Sequence, residues 1–328
     1  MDSILSSRVL SINEGDEVKK IKDSILAALR SQLHRRGLVI GLSGGIDSSA
    51  CAALSVEAVG AKKVFGLLLP ESDSSPDSLR LGKQVAEKFG IQYQVQDIST
   101  TLQEVGCYRW RDEAIKSVFP QYGDGWKNKI TITGGNEGKF NHFLLVVCSP
   151  EGEFFESRLG LREYLQIVSA TNYKQRIRKS IEYFHADRLN YAVIGTPNRL
   201  EYDQGFFVKG GDGAADIKPI AHLYKTQVYA LARHFGVPEE ICKAAPTTDT
   251  YSLDQGQDEF YFSLPYDKMD MALWAYNNSI SGHELAQYFG ISDERAAQIY
   301  QDIEMKRKTT RYQHLQPLLV EKVEGISC

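Results

Sequence analysis

The 328 residues carry 38 lysines and arginines against 42 aspartates and glutamates, a formal net charge of -4, with 42% hydrophobic and 24% charged residues. This is the composition of a globular chain long enough for a proper core, and it gives no global electrostatic reason to expect nucleic acid as a partner. The clearest apolar run, residues 143–148, is far short of the ~20 residues of a membrane helix, and no basic segment followed by an apolar one opens the chain, so the cytoplasm is the expected compartment.

Five cysteines (Cys51, Cys107, Cys148, Cys242 and Cys328) occur without any CxxC pair, and the seven histidines show no HxxxH spacing. Neither a disulfide framework nor a structural zinc site fits that pattern. Reduced, mostly buried thiols are expected.

In chain order, apolar residues at Val18, Ile21, Ile25, Leu26, Leu29 and Leu33 predict a helix over 18–36, with Gly37 as its stop. Leu38, Val39 and Ile40 then read as a strand, and the run from Ala50 to Leu54 as a helix. Between them lies GLSGGIDSS, residues 41–49. Gly44 and Gly45 tolerate positive φ and let a ligand approach backbone amides. The following helix N-terminus attracts an anion, and Ser43, Ser48 and Ser49 add hydroxyl donors. Asp47 beside a phosphate makes sense if a cation bridges the two. A plain helix N-cap is the competing explanation of this stretch. Walker A would need a lysine that is absent, and GxGxxG is not spelled.

Residues 64–69 predict a strand buried on both faces, 78–89 a helix closed by Gly90, and 93–98 a third strand. Strand, helix, strand, helix, strand at this spacing implies an α/β fold with a doubly wound parallel sheet, whose ligands bind at the carboxyl ends of the strands. From about 107 to 166 the pattern changes. Residues 129–133 and 143–147 read as strands of a hairpin insertion with 134–138 as its turn. Tyr108, Trp110, Tyr122 and Trp126 fit a small satellite core better than a substrate or subunit surface.

A helix over 171–188 and a strand over 192–195 resume the core pattern. Arg176 and Arg178 on that helix fit a solvated face. Glu201, Lys209, Asp212, Asp216 and Lys225 then fall close together among glycines that a plain surface loop would not need. A carboxylate here can join Asp47 on a cation, and lysines can neutralise phosphate oxygens. Residues 246–262, rich in Asp, Gln and Gly, read either as a lid or as an acidic loop.

Two resemblances sharpen this. The loop resembles the SGGxDS pyrophosphate loop of ATP pyrophosphatases, whose fold is of the adenine nucleotide α-hydrolase-like type; the implied chemistry is adenylyl transfer. With NYKQRIR from Asn172, GTPNRLE from Gly195, GFFVKGGDGAADIKPI from Gly205, LYKTQ from Leu223 and KAAPTTD from Lys243, the chain is similar to ammonia-dependent NAD synthetases over most of its length outside the insertion. The resemblance implies one domain over 1–328, with the insertion at about 107–166. It implies that Gly41, Leu42, Ser43, Gly44, Gly45, Ile46, Asp47 and Ser48 grip ATP together with Thr196, Lys225 and Thr247, and that Asp47 and Glu201 hold Mg2+. Arg176, Lys209, Asp216 and Lys306 fall where that family holds nicotinate adenine dinucleotide. Asp47, Lys209 and Lys225 are the expected catalytic residues. Glu304, Lys306 and Arg307 echo an EHKR signature, with Met305 in place of histidine.

The implied reaction is amidation of nicotinate adenine dinucleotide to NAD through an acyl adenylate, releasing AMP and pyrophosphate. The implied assembly is a homodimer. These 328 residues leave no room for a glutaminase domain, so ammonia comes free or from a separate glutaminase. Rival readings are a ligase of the same fold acting on another carboxylic acid, and a non-catalytic ATP-binding module.

Overall fold

The computed structural model describes residues 5–133, 142–244, 251–253, 256, 261 and 264–325. Its first helix, α1 (Glu14–Ala27), widens by one residue per turn over Ala28–Leu33 and stops at His34, which is left-handed at φ 50°. Gly37 is therefore not the helix stop. It is glycine for another reason: a Cβ there would lie 2.4 Å from the Lys63 carbonyl oxygen and 2.6 Å from the Tyr191 ring.

Strand β1 (Leu38–Gly41) leads into α2 (Ile46–Val59), β2 (Val64–Leu68), α3 (Pro76–Lys88) and β3 (Gln92–Val95). After α4 (Ser99–Glu104) and α5 (Cys107–Val118) come β4 (Lys127–Thr133), β5 (His142–Cys148) and β6 (Phe154–Arg158). The long α6 (Leu161–Leu189) returns the chain to β7 (Ala192–Val193) and α7 (Arg199–Gln204). The chain then runs through α8 (Lys225–His234), α9 (Glu239–Lys243), α10 (Tyr266–Asn277), α11 (Gly282–Phe289) and α12 (Asp293–His314).

The main sheet is parallel in the order β3-β2-β1-β7. Because β1 is interior, its successive residues meet different cores. Leu38 and Ile40 pack with α1, α2 and α8, whereas Val39 packs with Phe65, Leu67 and Val193 under α4, α5 and α6. Both faces are dry, which is why this strand reads as an unbroken apolar run. The C-terminal helices α10, α11 and α12 share a separate core with Leu200 of α7. The expected doubly wound α/β sheet is present.

The region from 107 onward departs from a simple hairpin. β4, β5 and β6 form a three-stranded antiparallel sheet, in which Lys127 pairs with Cys148 and Cys148 in turn with Phe154. The expected turn at 134–138 lies outside the described residues. Tyr122 and Trp126 do belong to a satellite core, with Ile130, Leu145 and Val147, but Cys107 and Tyr108 are part of the main core under the sheet. The expected helix at 171–188 begins ten residues earlier, at Leu161. Among the described cysteines, Cys51, Cys107 and Cys148 are buried free thiols and Cys242 is half-buried.

Candidate active site

The turn between β1 and α2 is built by its own side chains. Leu42 N–H still donates to the Leu67 carbonyl at 2.8 Å, holding the loop to the sheet. Gly44 is the residue that demands glycine: its φ is 77°, and a Cβ would lie 2.7 Å from the Ser78 carbonyl oxygen and 2.8 Å from the Leu81 Cβ. Gly45, expected to share that freedom, instead sits at φ -80° as the N-cap of α2. The Ser43 and Ser48 hydroxyls are 3.1 Å apart, Gly45 N–H donates to Ser43 Oγ, and Ser48 and Ser49 donate to the Gly45 carbonyl. Gly45 has no side chain with which to cap α2, which leaves the positive end of the helix dipole at the loop.

Asp47, in the first turn of α2, is where three elements meet. Its Oδ1 accepts from Asn198 Nδ2 at 3.1 Å, and its Oδ2 pairs with the ammonium of Lys225. Asn198 is buried and also caps α7, accepting from the Leu200 and Glu201 N–H groups at 2.9 and 3.2 Å. Glu201 completes a capping box by accepting from Asn198 N–H at 3.0 Å. One asparagine thus ties both carboxylates together. Lys225, the first residue of α8, is 2% exposed; Asp270 accepts from the backbone N–H groups of Lys225 and Thr226 at 3.1 and 2.7 Å and so fixes its position.

The electrostatics follow from burial. Burial first, then the Asp47 charge, push the Glu201 carboxyl up to about 8, with Lys225 pulling the other way. Burial alone would lower the Lys225 ammonium, but Asp47 and Glu201 reverse this and hold it above the usual lysine range. Burial raises Asp270 to about 7 against the pull of its two N–H donors. Burial, then Asp47 and Glu201, raise the Cys51 thiol well above its usual value, which leaves it a poor nucleophile. Two carboxylates facing one lysine form a site short of positive charge. Among the described residues no group of three or more His, Cys, Asp or Glu is placed to hold a metal ion. Asp47 and Glu201 would offer a cation two carboxylates, the kind of donor set that Mg2+ completes with water and phosphate.

Thr196 is half-buried just beyond β7, and Thr247 lies outside the described residues. Arg176, half-buried, donates from Nε to the Lys209 carbonyl at 3.2 Å, so these two are brought together. Lys209 itself donates to the Tyr312 and Leu315 carbonyls at 2.9 Å each, closing the end of α12. Asp216 accepts from Val193 N–H at 2.7 Å and so secures β7. Lys306 turns toward the Tyr261 carbonyl at 2.7 Å and Asp302 at 2.5 Å. Arg307 grips Asp203 with two hydrogen bonds of 2.6 Å, Glu304 accepts from the Tyr276 hydroxyl, and Met305 is 60% exposed. Asn198 and Asp270 are the polar residues that sequence reasoning missed. The N-x-x-E spacing from Asn198 to Glu201 is a capping-box signal that could have found the first, while Asp270 has no local signal.

Comparison with known proteins identifies the family. The family model described as NAD synthase matches residues 17–116 and 150–313, leaving out the stretch that holds β4 and β5. The chain is 57% identical to the NH(3)-dependent NAD(+) synthetase of Rhizobium meliloti (strain 1021), over 98% of this chain and 97% of that one. It is 52% identical to the protein of the same name from Rhizobium rhizogenes (strain K84 / ATCC BAA-868), over 98% and 97%. In fold it is similar to the NH3-dependent NAD synthetase of Campylobacter jejuni subsp. jejuni NCTC 11168 in complex with the nitrate ion, with a TM-score of 0.61 and 22% identity over 94% of this chain and 100% of that one. With the family model matching most of its length and relatives above half identity nearly end to end, the chain belongs to the NAD synthase family.

Proposed function

We propose that this protein is an NH3-dependent NAD+ synthetase, a ligase that amidates nicotinate adenine dinucleotide with ammonia at the expense of ATP. The observation that carries the reading is the meeting of Asp47, Glu201 and Lys225 at the mouth of the loop after β1. The near end-to-end likeness to relatives of that name supports it.

A carboxylate does not condense with ammonia at neutral pH, because oxide is too poor a leaving group. Adenylation removes the obstacle. A nicotinate carboxylate oxygen attacks the α-phosphorus of ATP, the bond to the β-phosphate oxygen breaks, and pyrophosphate leaves. Ammonia then adds to the acyl carbon, loses a proton, and AMP departs as the amide forms. The chain contributes position and charge: the loop from Gly41 to Ser48 and the α2 N-terminus receive the leaving pyrophosphate, and Lys225 offsets charge that builds on it. Asp47 and Glu201 would hold Mg2+, which when bound neutralises phosphate charge and relieves the repulsion between the two carboxylates. Arg176, Lys209, Asp216 and Lys306 are assigned to the dinucleotide, and Thr196 and Thr247 to ATP, on the family resemblance.

A homodimer fits the exposure of Leu161 (74%), Leu165 (52%) and Trp110 (38%) on neighbouring helices. Ammonia is taken free or from a separate glutaminase. Among the described residues no helix is long and apolar enough to cross a membrane, in keeping with a cytoplasmic enzyme. Incubation of the purified protein with ATP, Mg2+, ammonium and nicotinate adenine dinucleotide should give NAD+, AMP and pyrophosphate in equal amounts. ATP consumption without NAD+, or with ADP as the product, would overturn the assignment.

A further inference from the structure

We propose that the cavity on the opposite side of α7 from Glu201 is a second anion site, separate from the nucleotide loop, which binds a small phosphate-bearing molecule. The cavity has a volume of about 560 Å3. Arg199 and Asp203 face it from α7, four residues apart on one side of the helix, whereas Glu201, two residues on from Arg199, lies roughly 200° round the axis. The helix thus presents a carboxylate to the loop and an arginine to the cavity.

The cavity has more positive charge than its own walls can use. Arg199, Lys218 and Arg307 face a single lining carboxylate, Asp203, an excess of two cations. Asp203 is already committed to Arg307 by two hydrogen bonds of 2.6 Å. Its nearer oxygen stands 3.6 Å from Arg199 Nε, which is buried and has no hydrogen-bond partner among the described residues. Among the described residues no carboxylate stands within ion-pair distance of Lys218, and Asp212 acts on it only at longer range. Its ammonium lies 4.8 Å from the Tyr202 ring centroid and 5.5 Å from that of Phe207. Burial lowers that lysine from its usual range. A buried donor without an acceptor is costly, and a desolvated cation over ring faces keeps hydrogens free for an oxyanion.

The two histidines of the lining extend the argument. His222 is tied to Glu17 at 2.6 Å, so its charge, when present, is spoken for. The His314 ring stands edge-on to both Tyr202 and Phe207, and burial followed by the charge of Lys218 keeps it below its usual value. A phosphate oxygen between Lys218 and Arg199 satisfies the orphan N–H and gives Lys218 a counter-charge. Phosphate suits guanidinium donors better than a monovalent anion does, since it offers several oxygens in a compact body.

His314 also supplies the measurement. The full-length protein is titrated with inorganic pyrophosphate, and separately with AMP, while the ring signals of His314 are followed by NMR. The expected result is a saturable shift of His314 with at least one of the two probes, weakened ~10-fold or more by Lys218→Ala and by Arg199→Ala. The same shift should persist in Asp47→Asn, which perturbs only the loop side of α7. Response to pyrophosphate alone identifies an inorganic phosphate site, and response to AMP a nucleotide phosphate site. An unmoved His314 with both probes, or a shift that survives Lys218→Ala but vanishes in Asp47→Asn, overturns the proposal.

Discussion

Two clusters of buried charge lie at the main sheet, and their sums differ. Lys174 and Arg111 meet Glu71 and Asp73: Lys174 stands 3.1 Å from Glu71 and 2.5 Å from Asp73, Arg111 pairs with Asp73, and the Tyr108 hydroxyl donates to Glu71 at 2.7 Å. In the interior of the cluster two cations answer two carboxylates, while Arg111 also reaches the half-buried Asp112 at 2.8 Å on the rim. There, burial works to raise Asp73, but Lys174 and Arg111 outweigh it and leave the carboxyl below its ordinary range. At the loop, Asp47 pairs with Lys225, whose charge also acts on Glu201, and burial and Asp47 push Glu201 up to about 8. The balanced cluster clamps the connection after β2 to α5 and α6 and needs nothing further. The unbalanced one is left short of a cation, which is the condition expected where charged phosphates and a metal are to be received.

The largest effects should come from the unbalanced cluster, and on rate rather than on stability. Asp47→Asn is expected to lower NAD+ formation by at least ~10²-fold, since it removes a ligand for the cation and a partner of Lys225 at the phosphates. Lys225 keeps Glu201, so its charge is not stranded and the melting temperature without ligands should hold or rise. Glu201→Gln should behave alike, trading activity for stability. A variant that loses melting temperature along with rate would show that the charge deficit serves the fold.

The balanced cluster should answer in the opposite sense. Lys174→Met removes a 1% exposed ammonium and leaves Glu71 buried with the Tyr108 hydroxyl. The expected cost is ~3–5 kcal/mol in urea unfolding, with a much smaller change in kcat. Adding Glu71→Gln should return a large part of that stability, because the stranded charge goes with it. If the double variant is no better than the single one, the clamp acts through packing and the contrast between the clusters weakens.

This contrast also marks the limit of what the residue order discloses. The interior strand was legible because Leu38, Val39 and Ile40 are buried from both sides, and the loop because Gly44 and Asp47 follow it directly. Glu201 and Lys225 stood out as charges among glycines, and Asp47 does meet Lys225 directly and Glu201 through Asn198. Their second layer did not stand out: Asp270 lies 45 residues beyond Lys225 on a helix of another core. The balanced cluster was invisible for a related reason. Arg178, which with Arg176 was expected on a solvated face, donates to the Leu69 carbonyl and to Ser74, and Lys174 on the same helix finds its acids more than 100 residues earlier. Long-range pairing cancels charge in space, and no local pattern records it. The same holds for β6, a five-residue strand that β5 pairs along its length.

A third buried ionisable group carries the comparison to its smallest expected effect. His185 on α6 is 3% exposed, stacks on Phe65 with centroids 5.2 Å apart, and accepts from Arg188 Nε at 2.9 Å. It has a cation beside it, as Asp73 does, but here the cation has the wrong sign for a charged partner. Burial, then Arg188, lower its pKa from 6.5. The unfolded chain therefore takes up a proton near pH 6.5 that the folded chain refuses. Stability is full above that pH and falls as the pH drops below 6.5, until the folded ring also titrates. His185→Gln keeps an acceptor for Arg188 and removes the titration. Its loss of unfolding free energy between pH 7 and pH 5.5 should be smaller than that of the natural protein by on the order of 1 kcal/mol. An identical pH slope in the two proteins would mean that the ring reaches water when charged, and that Arg188 does not hold it neutral.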